Sequence, residues 1–149
     1  MNLLPQEIEA FLPSVRVFSE LDSDTIRMLA GYVMVEHCAK GEVILEQGVQ
    51  GEHLWLIHQG SVKVFQEVRG KEIRALATLG PGDIFGEISI ISKSPTTAEV
   101  RSGEDCVLLK IPHEVISFVI QKNLTTSSFF SRTFVERLSD SARKLVNEN

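Results

Sequence analysis

At 149 residues, 43% hydrophobic and 23% charged, the chain has the size and make-up of one globular domain with its own core. A formal net charge of −5 and a pI near 5.4 exclude a general nucleic-acid binder, which would carry a basic face. No apolar run approaches the ~20 residues of a membrane span, and the N-terminus lacks the pattern of a secretory signal, so a cytoplasmic protein without a membrane partner is expected.

Taken in order, residues 5–12 predict a short helix with Pro5 in its first turn, stopped by Pro13. Ser23 or Asp24 is expected to cap a second helix that carries Ile26, Leu29 and Ala30 and ends near Gly31. From Val33 the pattern changes to short strands separated by glycine. The predicted strands are 33–39, 43–46, 53–58, 62–68 and 73–79, then 96–102 and 105–111. Val62 and Val64 alternate with Ser61 and Lys63, as one buried face requires. Cys38 and Cys106 sit in apolar strand-like runs and read as buried thiols rather than a disulfide. Helical spacing returns at Pro112 with Val115, Ile116, Val119 and Ile120. A last helix, 123–147, carries a narrow stripe of Phe130, Phe134 and Leu138 that suits a homodimer seam or a cover for the barrel.

The most informative stretch follows the fifth predicted strand. Residues 84–100 read Ile-Phe-Gly-Glu-Ile-Ser-Ile-Ile-Ser-Lys-Ser-Pro-Thr-Thr-Ala-Glu-Val. Gly86 permits a strained angle or a close backbone approach. Residues 87–92 predict one or two helical turns, whose first N–H groups have no partner within the helix. Such free donors together with the helix dipole make an anion site. Glu87 beside them is suited to accept a hydrogen bond from a sugar hydroxyl. Pro95 ends the turn.

This stretch resembles the phosphate-binding cassette of cyclic nucleotide-binding domains. Phe85, Gly86, Glu87, Ile88, Ser89, Ile90, Ile91, Pro95, Thr97, Ala98 and Val100 match the family pattern in order and without a gap. The glycine turns Lys40-Gly41, Gln59-Gly60 and Leu79-Gly80-Pro81-Gly82-Asp83 extend the resemblance over nearly the whole chain. It implies a mainly β fold: an eight-stranded antiparallel β-roll, or jelly roll, with a short cassette helix. N-terminal helices (1–32), the roll (33–112, cassette 84–100) and C-terminal helices (113–149) would make a single domain.

The implied function is a cyclic AMP or cyclic GMP sensor that moves its C-terminal helices, with no catalytic role and no cofactor. The resemblance puts Glu87 on the ribose. It puts the backbone at Gly86, Ile88 and Ser89 on the phosphate, with Phe85 and Ala98 in the same cassette. Val64 and Leu76 align with positions that line the base pocket, and Thr97 with one that meets base or phosphate. One position departs: Thr96 stands where the family usually has the arginine that grips the cyclic phosphate. Thr96 and Thr97 would turn their hydroxyls to the ligand's charge; a threonine supplies only a hydroxyl at 96, with Lys93 three residues away, so weakened binding is one expectation. A ligand-free interaction module of the same fold is the alternative.

The four histidines, 37, 53, 58 and 113, form no His-x-His pair of the kind a cupin needs for a metal. No Gly-x-Ser-x-Gly elbow and no P-loop occurs, so no catalytic constellation is read from the chain. The chain ends before a helix-turn-helix would fit, so no DNA reading is expected of it.

Overall fold

Eight short strands among the described residues pair into two antiparallel four-stranded sheets. The computed structural model describes residues 3–68, 72–88, 90, 93–123, 126, 128, 129 and 132. The strands are β1 (Met34–Cys38), β2 (Val43–Leu45), β3 (His53–Gln59), β4 (Val62–Val68), β5 (Glu72–Leu79), β6 (Ile84–Phe85), β7 (Glu99–Ser102) and β8 (Cys106–Pro112). One sheet runs β1-β8-β3-β6 and the other β2-β7-β4-β5. Nearly every strand therefore crosses from one sheet to the other, as a roll requires. Glycine permits the tight reversals: Gly60, between β3 and β4, has φ +89°, and a Cβ there would meet the Asp105 carbonyl at 2.6 Å.

Among the described residues the helices α1 (Pro5–Phe11), α2 (Ser23–Ala30) and α3 (His113–Lys122) flank the roll. Pro13 ends α1, but the chain tightens into a 3-10 turn over Leu12–Ser14 instead of uncoiling. The cap of α2 is Asp22, one residue ahead of the expected Ser23 or Asp24. Its carboxylate accepts from the Thr25 N–H at 2.8 Å, which satisfies a donor of the first turn. Thr126, Ser128, Phe129 and Arg132 have helical backbone. The rest of the expected helix 123–147, including Phe130, Phe134 and Leu138, lies outside the described residues.

Two apolar clusters fill the interior. The larger joins Leu12, Phe18 and Leu29 of the N-terminal segment to Leu54, Leu109 and Ile111 of the sheet and to Ile116 and Val119 of α3. The smaller lies between the sheets and contains Ile57, Val62, Phe85, Val100, Cys106 and Leu108. The helices thus cover one sheet, while the smaller cluster closes the roll on itself. Cys38 and Cys106 face each other across the β1–β8 ladder as free thiols.

Two strand expectations are adjusted. β7 begins at Glu99, not at 96, because Thr96 bonds to the 46–49 turn instead of joining the regular ladder. The two-residue β6, which pattern reading leaves inside the cassette, pairs with β3 through Trp55↔Phe85 and Leu56↔Ile84.

Candidate functional site

The cassette opens where β6 ends. Phe85 is buried and stacks on Trp55 with ring centroids 5.7 Å apart and planes 4° from parallel. Lys110 lies 5.5 Å from the Trp55 ring centre, a cation over an aromatic face. Gly86 then turns the backbone with φ +85°. A Cβ at this position would lie 2.8 Å from the His53 carbonyl oxygen and 3.3 Å from the Trp55 ring. Both the angle and the space demand glycine.

Glu87 follows with 0% exposure. It is the one fully buried charged residue among those described. Its position is set on one side by the Gly86 turn and on the other by a bond from the Ile90 N–H to the Glu87 carbonyl at 3.1 Å. Ile88, half-buried, and Ile90, buried, have helical backbone. Ser89, Ile91 and Ser92 lie outside the described residues, so the expected helix over 87–92 is seen in part. Ile90 joins the larger apolar cluster.

After the turn, Lys93 is exposed and holds a positive φ of 53°. Thr96 is buried, and its hydroxyl is already engaged. Oγ1 donates to the Glu46 carbonyl at 2.5 Å and accepts from the Val49 N–H at 3.1 Å. Its backbone is tied to the same turn, donating to Val49 O and accepting from the Gly48 N–H, each at 2.8 Å. Thr96 therefore closes the 46–49 turn against the cassette. Thr97 and Ala98 are half-buried as the chain enters β7.

Val64 is half-buried and packs on the inter-sheet cluster. Its ladder partners are Val100 of β7 and Ala77 of β5. Leu76 is half-buried at the β4–β5 bulge, between Ala75 and Ala77, which pair with Phe65 and Val64. Sequence reasoning passes over two polar residues of the same region. Gln66 sends its Nε2 to the Thr97 carbonyl at 3.1 Å. Its ladder partner Arg74 has a side chain only 12% exposed. The signal lies in the alternation of β5, where half-buried Arg74 and Leu76 flank exposed Ala75.

Two histidines stand behind Gly86. Burial pushes the His113 imidazole below its usual pKa, against a raising effect of backbone hydrogen bonds at Gly86 and His53. Burial likewise lowers His53, helped by the nearby Lys110 ammonium. His113 is the first residue of α3, so the cassette glycine and the start of that helix share a contact. Among the described residues no group of three potential metal ligands occurs. No described helix is long and apolar enough to cross a membrane.

Comparison with known proteins fits this geometry. The model of the cyclic nucleotide-binding domain matches residues 35–123, more than half of the chain. The chain is 35% identical over 95 residues to the cGMP-dependent protein kinase egl-4 of Caenorhabditis briggsae, covering 63% of this chain and 13% of that protein. It is 32% identical over 98 residues to the Cyclic AMP receptor protein of Thermus thermophilus, covering 66% of this chain and 45% of that one. The chain thus spans less than half the length of either relative. In fold it is similar to the regulatory domain of Toxoplasma gondii PKA crystallised with cAMP, with a TM-score of 0.78 at 21% identity over 87% of this chain and 49% of that one. From the cassette, the roll and the matched model together, the chain belongs to the cyclic nucleotide-binding domain family.

Proposed function

We propose that this domain binds a cyclic nucleotide and transmits its presence to the C-terminal helices. The observation that carries the reading is Glu87. A carboxylate with no solvent exposure, set directly after a glycine of positive φ, is costly to bury and suits an acceptor for a ribose hydroxyl. The ligand's phosphate is met by backbone N–H groups over 86–89 and by Thr97. Val64 and Leu76 flank the base, with Phe85 and Ala98 as the walls of the cassette.

Thr96 has a different part in this reading. Its hydroxyl holds the 46–49 turn, so the phosphate depends on the backbone. Losing one partner of a buried charge pair costs about 2–5 kcal/mol, or roughly thirty-fold to several thousand-fold in affinity. Binding weaker by that factor than in an arginine-bearing cassette is therefore the expectation. Transmission runs through the 84–90 segment and the His113 start of α3 as a population shift between two arrangements of the helices. No catalytic role, metal or cofactor enters this reading. A homodimer through helix 123–147 and a cytoplasmic setting complete it.

The engaged Thr96 hydroxyl also favours a second reading, an interaction module that keeps the roll without its ligand. Calorimetric titration with cyclic AMP and cyclic GMP up to millimolar concentration decides between them. Saturable binding that Glu87→Ala removes supports the sensor. No heat with either nucleotide supports the module.

A further inference from the structure

The cassette carries a buried carboxylate and no buried cation. Residues 84–100 contain one basic residue, Lys93, and two acidic ones, Glu87 and Glu99. Lys93 is exposed, so water and salt screen its ammonium. Glu99 is matched outside the cassette: its Oε2 accepts from Arg101 Nε at 2.7 Å. Glu87 is the acidic residue that the cassette holds away from solvent, at 0% exposure. Arg74 of β5 is matched by Glu72 at 3.1 Å, and β4 stands between its strand and β7.

Thr96 cannot act in place of a cation. A hydroxyl has one proton to donate. That of Thr96 goes to the Glu46 carbonyl at 2.5 Å, while the oxygen accepts from the Val49 N–H at 3.1 Å. The Thr96 N–H goes to the Val49 carbonyl at 2.8 Å. The residue is 6% exposed, and both of its donors are spent inside the protein. A cyclic phosphate carries one negative charge. One ribose away from the Glu87 carboxylate it would be a second anion beside a buried first, and like charges in a low-dielectric interior repel. The short cassette turn supplies backbone donors but no full charge.

A nucleoside avoids this cost. It keeps the base and the ribose and has no charge. It also brings one more donor. The cyclic ester ties up O3′, so a cyclic nucleotide offers its 2′-hydroxyl alone, whereas free ribose offers neighbouring 2′- and 3′-hydroxyls. A carboxylate accepts at both oxygens, with about four lone-pair sites, and so matches a vicinal diol bidentately. Bonds to an ionised acceptor are the stronger, charge-assisted kind. Resting on the assignment of Glu87 to the ribose in the reading above, we infer that the pocket takes an uncharged ribonucleoside, held by Glu87 through its 2′,3′-diol, in preference to a 3′,5′-cyclic nucleotide.

The test is calorimetric titration of the full chain with adenosine and guanosine, with cyclic AMP and cyclic GMP, and with 3′-deoxyadenosine and 3′-deoxyguanosine. The nucleoside should bind at least about ten-fold tighter than the cyclic nucleotide of the same base, and removal of its 3′-hydroxyl should weaken it about ten-fold. Thr96→Arg supplies a cation and should move the ratio of the two dissociation constants at least about ten-fold toward the cyclic nucleotide. The ratio is the readout, since a general loosening of the fold weakens both ligands together. The wild-type ratio and the 3′-deoxy control need no variant, so they decide the matter even where Thr96→Arg does not fold. A cyclic nucleotide that binds as tightly as its nucleoside overturns the inference and leaves the cyclic-nucleotide reading standing. A 3′-deoxynucleoside as tight as its parent, or an unchanged ratio in folded Thr96→Arg, overturns it as well. Nucleoside binding without cyclic-nucleotide binding upholds the inference and removes that reading. Absence of binding by all of them overturns both.

Discussion

Thr96 and Val49 bond to each other in both directions. The Thr96 N–H donates to the Val49 carbonyl at 2.8 Å, and the Val49 N–H donates to the Thr96 hydroxyl at 3.1 Å. With the bond from that hydroxyl to Glu46 O, one side chain satisfies a donor and an acceptor of a turn some fifty residues earlier. Thr96→Val keeps the shape and removes the hydroxyl. It should destabilise the domain by about 2 kcal/mol, because two turn groups lose a partner. Thr96→Ser should cost under half of that. Thr96→Arg gives up the same bonds, yet adds a cation beside the cassette, so it should lower stability while tightening cyclic nucleotide binding at least ten-fold. Urea unfolding and calorimetry on the same preparations separate the two effects; equal stability of wild type and Thr96→Val would show that the tie contributes nothing.

Gly86 and Gly41 have nearly the same φ, +85° and +86°, but different surroundings. A Cβ at Gly41 would meet nothing within 4 Å, whereas one at Gly86 would meet the His53 carbonyl at 2.8 Å. Gly41→Ala should therefore show only the backbone strain, on the order of 1 kcal/mol. Gly86→Ala should cost at least about 1 kcal/mol more and should also weaken ligand binding. Thermal unfolding of the pair is the measurement, and equal losses would mean that the close approach at Gly86 is readily relieved.

The Glu87 assignment has a chemical control in the ligand. If the carboxylate accepts from the ribose 2′-hydroxyl, a 2′-deoxy cyclic nucleotide should bind the wild type about ten- to a hundred-fold more weakly. Glu87→Gln should narrow that gap to about three-fold or less. A gap of the same size in both proteins would place the hydroxyl elsewhere.

Folding should depend on the histidines behind Gly86. Both His113 and His53 sit below the usual value of 6.5 in the folded protein. The unfolded chain therefore binds protons first as pH falls, so stability is fully present above about pH 7 and declines as pH drops below 6.5 toward the folded values. His113→Gln should flatten part of that slope. A melting temperature that is constant from pH 7.5 to 5.5 would contradict this.

Burial, reinforced by the Glu42 carboxylate, pushes the Cys38 thiol up to about 11. Near neutral pH its thiolate is scarce, and alkylation by iodoacetamide should be about a hundred-fold slower than for a free cysteine. Mass spectrometry of a labelling time course measures this directly. Labelling at the free-thiol rate would show a far more acidic group.

The parts legible in sequence are those set by neighbours along the chain. The β4 range 62–68 follows from local alternation and appears with those limits, and the helical spacing of Val115, Ile116, Val119 and Ile120 marks α3. The Phe-Gly-Glu start of the cassette is equally plain, because Gly86 has a conformational need of its own. Contacts across the chain are not legible. Nothing near Thr96 points to Glu46, so pattern reading turns its hydroxyl toward a ligand. Arg74 faces Gln66 only through a register that the β4–β5 bulge shifts by one residue. The cap of α2 falls a single position from its expected place because Asp22, Ser23 and Asp24 are all good caps.

The two residues of β6 have a mechanical consequence. Ile84 belongs to the apolar cluster under the helices, and Phe85 to the cluster between the sheets. Adjacent residues of a strand face opposite ways, so this short segment is a party wall with a room on either side. Interiors packed as densely as crystals do not absorb a displaced side chain. The wall cannot shift by an ångström toward one room without opening space in the other. In the proposed function, pressure on this wall from the cassette side is pressure on the helix side.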